Sequence, residues 1–284
     1  MAGLLSGLEK LGLGNLQGMN LYEQPEEKKE ENKEPAKPEI KEEEVLFDKT
    51  YECPVCYKQF KGKTLKSGKV KLVKTDMDLR PVYEGIEPLK YDVLVCPHCG
   101  YAVLTRFFQG LAPTQIKLVK EKICASYKGH IEEKDTYTYE EALERYQLCL
   151  ANTIVKMGKT SEKAYICLKA GWLLRSMAEN MDSSLPDYAQ KQKEAKAQSD
   201  EYLKNALEGF MSAIQSENFP MCGMDELTVD YLIAVLATEY DKLDVASKLV
   251  SQIIVSPTAN SRMKDKAREV KEILVAKIKE KNAH

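Results

Sequence analysis

Two Cys-Pro-x-Cys pairs, Cys53-Pro54-Val55-Cys56 and Cys96-Pro97-His98-Cys99, stand 39 residues apart, and no other feature restricts the fold of this 284-residue chain so tightly. Two residues between the cysteines let both thiolates reach one ion while the intervening backbone N–H groups point at sulfur. Pro54 and Pro97 pre-set φ, and Gly100 gives conformational freedom just after the second pair. Two such knuckles predict a four-cysteine tetrahedron, the arrangement zinc prefers in structural sites. Closing a 39-residue loop costs a few kcal/mol. Structural zinc supplies on the order of 10–16 kcal/mol of apparent binding free energy near neutral pH. One structural Zn2+ held by Cys53, Cys56, Cys96 and Cys99 can therefore organise a small domain with little core of its own.

Other uses of these cysteines fit less well. A thioredoxin-type redox pair needs one Cys-x-x-Cys at a helix start within a βαβ pattern, and here two lie on turns. Four thiolates also suit iron, so spacing leaves zinc against iron open. A catalytic zinc needs an open coordination position, which four thiolates do not leave. His98, inside the second knuckle, reads as a solvent-facing spacer. The remaining cysteines, Cys124, Cys149, Cys167 and Cys222, are scattered singly, and Cys149 and Cys167 read as core fillers within helices.

Composition shifts divide the chain into four parts. Residues 1–22 carry Leu4, Leu5, Leu8, Leu11 and Leu16 among five glycines. The leucines are helically spaced but the glycines oppose a stable helix, so an apolar segment ordered only on docking is expected. Residues 23–44 hold ten glutamates, five lysines and three prolines; such a segment cannot bury enough apolar surface to fold and predicts an acidic disordered linker. Residues 45–112 turn to strand patterns, as in KVKLV (69–73) and YDVLV (91–95), with Gly62, Gly68, Pro81, Gly85 and Pro88 as turns. Residues 113–284 are helical in period. Thr138 with Glu141 forms a capping box, and further helices are expected over 161–181, 187–216, 225–241, 244–255 and 259–280. Gly158, Pro186, Pro220 with Gly223, and Pro257 mark the breaks.

The predicted fold class is α+β: a small N-terminal β-rich zinc ribbon followed by an all-α array of antiparallel helices. YEEALERYQLCL (139–150) matches the second helix of a tetratricopeptide unit, Tyr231 to Pro257 is a looser match, and KAGWLLR (169–175) supplies a tryptophan-bearing first helix. The 34-residue period is not cleanly kept, so the array reads as TPR-like, with an irregular helical domain as the alternative.

Between the knuckles, YKQFKGKTLKSGKVKLVKT (57–75) holds seven lysines and no acid. Lys58, Lys61, Lys63, Lys66, Lys69, Lys71 and Lys74, with Tyr57 and Phe60 interleaved and Arg80 nearby, are candidate nucleic-acid or anion-binding residues. Lysines also solvate an edge hairpin and discourage edge pairing, and the acidic linker offers them partners. Asp76, Asp78 and Arg80 alternate, so in a strand they share one face and form either a small polar site or a salt-bridged surface. No nucleophile elbow or phosphate-cradling glycine loop occurs, and there are three histidines in all. No catalytic residue is assigned.

CPVC with its lysine-rich sequel, KTDMDLRPVYEGIEPLKYDVLVCPHCGYA (74–102), KAGWLLR, and ENFPMCGMDELTVDYL (217–232) together resemble an uncharacterised bacterial, Firmicutes-type family of unknown function. The resemblance covers most of the chain after residue 45. It implies a zinc ribbon joined to TPR-like helices in a cytoplasmic protein, and it implies no reaction. The first knuckle departs from the fullest pattern, with Tyr57 where glycine often follows the second cysteine.

The function expected is that of a non-enzymatic interaction protein whose helices bind a protein or peptide partner. Phe219 and Met221 are the candidate contact residues, while Trp172, Tyr231 and Tyr240 fit core positions better than a groove. The alternative is a nucleic-acid-binding regulator acting through a lysine-rich hairpin, residues 57–75, of the zinc ribbon. A formal charge of −2 gives the whole molecule no strong pull toward nucleic acid or acidic membranes. No run of consecutive apolar residues is long enough to span a bilayer, and the start lacks a basic secretion-signal region, so a cytoplasmic protein is expected.

Overall fold

The structure, a computed structural model, describes residues 41–129 and 134–283. The apolar segment 1–22 and the acidic run up to residue 40 lie outside the described residues. Of the expected linker only its end is described. There Glu42–Val45 forms a 3-10 turn, and the Glu42 carboxylate accepts hydrogen bonds from Lys90 Nζ (2.9 Å) and Tyr91 Oη (2.8 Å). Burial of Lys90 demands a counter-charge, and this one orders the chain before Val45.

Among the described residues six strands follow as three antiparallel pairs. β1 (Leu46–Glu52) pairs with β2 (Gln59–Leu65), so the first knuckle is the turn of that hairpin. β3 (Leu72–Thr75) pairs with β4 (Pro81–Tyr83). β5 (Val93–Val95) pairs with β6 (Ala102–Leu104) around the second knuckle. Strand structure begins later than the two apolar patterns suggest. Lys69–Lys71 belong to the turn region after Gly68, and Tyr91 ends a 3-10 turn with its ring stacked on Tyr137.

β5 and β6 are buried on both faces, and their alternation separates two environments. Val93, Val95, Ala102 and Leu104 join the helical core, whereas Leu94 and Val103 join the cluster around the cysteines. Register places Val93 opposite Leu104 and Leu94 opposite Val103, so each cross-strand pair serves one side.

Among the described residues seven α-helices follow: α1 (Pro113–Val119), α2 (Tyr139–Val155), α3 (Thr160–Glu179), α4 (Tyr188–Ala213), α5 (Glu226–Glu239), α6 (Leu243–Val255) and α7 (Ser261–Ala283). The expected capping box is formed: Thr138 Oγ1 accepts from Glu141 N at 3.2 Å, and Glu141 Oε2 accepts from Thr138 N at 2.9 Å. α3 and α4 run antiparallel. Gly209 lies against Ala164, Gly171 against Leu203, and Ser199 Oγ donates to Gly171 O at 2.8 Å. An added Cβ at either glycine would approach its neighbour to 2.7 Å, so the missing side chains set how closely the helices approach. α5 is apolar on nearly all sides, with Tyr231 through Thr238 buried, and lies at the centre of the array. α7 runs parallel to α5: Lys266 lies over the Tyr231 ring near one end, and Lys277 Nζ donates to Thr238 O and Glu239 O at the other. Among the described residues no helix is long and apolar enough to cross a membrane.

Candidate metal centre

The two hairpin turns bring Cys53, Cys56, Cys96 and Cys99 together, with all four Sγ atoms within 4.8 Å of one another. Cys53 and Cys99 are 3.6 Å apart at sulfur, as are Cys56 and Cys96. A tetrahedron with metal–sulfur bonds of about 2.3 Å has edges of about 3.8 Å, so the donors fit a four-thiolate ion. Each knuckle closes in the same way. Tyr57 N donates to Cys53 O at 2.9 Å and Gly100 N to Cys96 O at 3.0 Å; Cys53 N then donates to Lys58 O, and Cys96 N to Tyr101 O. Val55 N reaches Cys53 Sγ at 3.5 Å, one of the N–H···S contacts expected of a knuckle.

The residue after each pair is left-handed, with φ of 61° at Tyr57 and 74° at Gly100. The knuckle therefore keeps its form despite the tyrosine, whose ring is exposed with Lys120 Nζ 5.7 Å above it. Gly100 is different, since a Cβ there would lie 2.6 Å from the Tyr127 ring. Gly100→Ala is expected to cost about 2 kcal/mol, from the left-handed backbone and the displaced ring together, as measured by urea unfolding.

Among the thiols themselves, hydrogen bonds from Cys96 and then Cys99 hold Cys53 far below the usual thiol range. The hydrogen bond to Cys53 pushes Cys96 up to about 12 and raises Cys99 further. Set side by side, these thiols do not all ionise together, and a divalent cation would let them do so. The site is also anchored from behind. Asn152 of α2 donates from Nδ2 to Gly100 O at 2.9 Å, while Val119, Ile116 and Ile123 pack on the cysteine cluster. His98 is exposed, with Nε2 3.2 Å from Gln59 O, and Cys149 and Cys167 are buried in the helical core.

The lysines do not form one hairpin. Lys61 and Lys63 lie on β2, Lys74 on β3, and the others in the knuckle and the connection between strands. Lys63 pairs with Asp48 at 2.8 Å, Lys71 with Glu84 at 3.2 Å and Lys74 with Asp76 at 3.0 Å, and Lys66 Nζ donates to Glu44 O. Lys58, Lys61 and Lys69 have no such partner among the described residues.

Asp76, Asp78 and Arg80 lie in the β3–β4 turn rather than along a strand, and they meet the KAGWLLR helix. Arg80 is 2% exposed; its guanidinium donates to Asp76 (2.8 Å, from Nε) and to Glu179 (2.7 Å, from Nη2). Asp78 is equally buried, and its Oδ2 accepts from Trp172 Nε1 and Arg175 Nη1, each at 2.8 Å. Burial opposes ionisation of Asp76, but hydrogen bonds from Lys74 and Arg80 outweigh it and hold the carboxyl below its usual range. Sequence reasoning paired these three residues with one another but missed Trp172, Arg175 and Glu179, which lie almost a hundred positions away. Met221 is 1% exposed, and Phe219 packs partly buried against the same core.

A four-cysteine ribbon with one hairpin built into a helical core defines a candidate metal-ribbon protein with a helical domain. The chain belongs to the bacterial family described as "uncharacterized protein conserved in bacteria" (DUF2225), whose model matches residues 46–274. No curated protein and no solved structure matches it.

Proposed function

We propose that the protein is a non-enzymatic, zinc-binding interaction protein in which the ribbon braces a TPR-like helical array that holds a protein or peptide partner. The observation that carries this reading is the placement of β5 and β6, whose one face lines the cysteine cluster and whose other face lines the helical core. An ion held there works as a structural brace. Four thiolates suit zinc and leave no open position for a substrate. Antiparallel α3 and α4, followed by α5 and α7 running parallel, is the order of successive helix pairs in a stacked array. Arg80, held between two carboxylates, and buried Met221 contribute to packing in this reading, so the partner would be met by other residues of the helical half.

A tagged pull-down from a lysate of the source bacterium, with and without nuclease, tests this. A nuclease-resistant protein partner whose capture survives moderate salt is the expected result. The nucleic-acid alternative rests on Lys58, Lys61 and Lys69 with exposed Tyr57 beside Lys120. Recovery of RNA or DNA that is lost on neutralising those lysines, with steep salt dependence, would replace the protein-partner reading.

A further inference from the structure

Cys124 is remote from both knuckles in the sequence, yet the fold brings it to them. It ends a π-turn, Lys120–Cys124, that follows α1 and is closed by Ala125 N donating to Lys120 O at 3.1 Å. A π-turn winds each residue through a smaller angle than an α-helix does. Cys124 is thereby carried back onto the face of Ile116 and Val119, and all three pack on the cysteine cluster. Its side chain is hydrogen-bonded to that of Cys99. The other single cysteines are placed differently: Cys149 and Cys167 are buried in the helical core, and Cys222 Sγ lies 3.3 Å from Ser161 O.

The pair is chemically unequal. Cys99 is one of the four clustered donors and is buried, whereas Cys124 stands outside that set and is half-buried. A metal ligand is a thiolate, the form that peroxides oxidise, and a second thiol beside an oxidised one captures it as a disulfide.

We infer that Cys99 and Cys124 are joined in a disulfide when the protein meets a peroxide, which takes one of the four ligands out of the cluster. The Cys99 thiolate attacks a peroxide oxygen, the O–O bond breaks and hydroxide leaves, so Cys99 becomes a sulfenic acid. The Cys124 thiol attacks that sulfur, the S–O bond breaks, and the departing hydroxide takes the thiol proton and leaves as water. Two electrons pass from the two sulfurs to the peroxide. Three thiolates remain where a closed structural site uses four. The inference rests on the zinc-brace reading only for the release of an ion; the disulfide itself does not depend on it.

The test is a titration of the full chain with hydrogen peroxide, followed by peptide mass mapping without reduction and by a colorimetric dye for released zinc. The parent is expected to give a Cys99–Cys124 link that dithiothreitol reverses, with zinc released in step. Cys124→Ser and Cys124→Ala should keep the parent's metal content and thermal stability before peroxide, and should then release zinc on the order of tenfold more slowly. A link confined to the four ligands with Cys124 still reduced, release from both variants at the parent's rate, or loss of metal from both variants before peroxide would each overturn the assignment. A parent that carries no metal would defeat the zinc-brace reading, and the mass map would still decide the disulfide.

Discussion

Cys99→Ser is expected to lower the bound metal from one ion per chain to none and to unfold the ribbon. The reasoning is one of scale. Metal binding at a four-thiolate zinc site is worth on the order of 10–16 kcal/mol, comparable with the whole stability of a typical domain at about 5–15 kcal/mol. The cysteine cluster has few other resources. Its buried apolar members are chiefly Val55, Phe60, Leu94, Tyr101, Val103 and Val119, and the strands it joins are short pairs that do not stand alone in water. The loss should spread, because Val93, Val95, Ala102 and Leu104 belong to the helical core. Native mass spectrometry should read one metal in the parent and none in the variant, and limited proteolysis should cut between β1 and β6 in the variant only. A strong chelator at mildly acidic pH should reproduce the effect, since protons and metal compete for the same thiolates. Full metal content and unchanged protease resistance in Cys99→Ser would remove the cluster as a metal site.

What the sequence disclosed follows from the range over which each signal acts. The knuckles were legible because their geometry is local: two cysteines, a proline and a fixed spacing. The helices were legible because an apolar stripe and a cap are local too, and no expected end among α3 to α7 is off by more than three residues. Strand pairing carries no such signature. Pairing the lysine-rich strand β2 with the upstream β1 required knowing that the first knuckle is a hairpin turn, and without that the lysines read as one continuous stripe. Asp76, Asp78 and Arg80 stood out as unusual charges, yet their partners on α3 have no periodic relation to them. Only the fold brings them together. Tyr57 is the converse case, where a residue that disfavours a left-handed backbone adopts it because the knuckle's hydrogen bonds over-determine the turn.

Asp78→Ala is expected to destabilise the protein by about 3–5 kcal/mol, the range for leaving a buried charge without its counter-ion. The side chain is 3% exposed and joins two distant stretches: it accepts from Trp172 Nε1 and Arg175 Nη1 at Oδ2, and from the Arg80 backbone N–H at Oδ1 (3.4 Å). Removing it strands an indole N–H in the core, worth about 1–3 kcal/mol. It also leaves Arg175 with only the distant Glu239, although partial exposure of that arginine lets water recover part of the loss. Asp78→Asn, which can still accept from the indole but carries no charge, should cost roughly half as much, since the acceptor is kept and only the charge-assisted part is lost. Asp76 adds a pH dependence of definite sign. Its native pKa is lowered, so its contribution is fully present above the usual carboxylate range and is lost as pH falls through the lowered native value. Urea unfolding of the parent and both variants at neutral and acidic pH measures all of this. A cost below about 1 kcal/mol for Asp78→Ala, the scale of exposed ion pairs, would mean that the TDMDLRP turn is not held on the helices by this network.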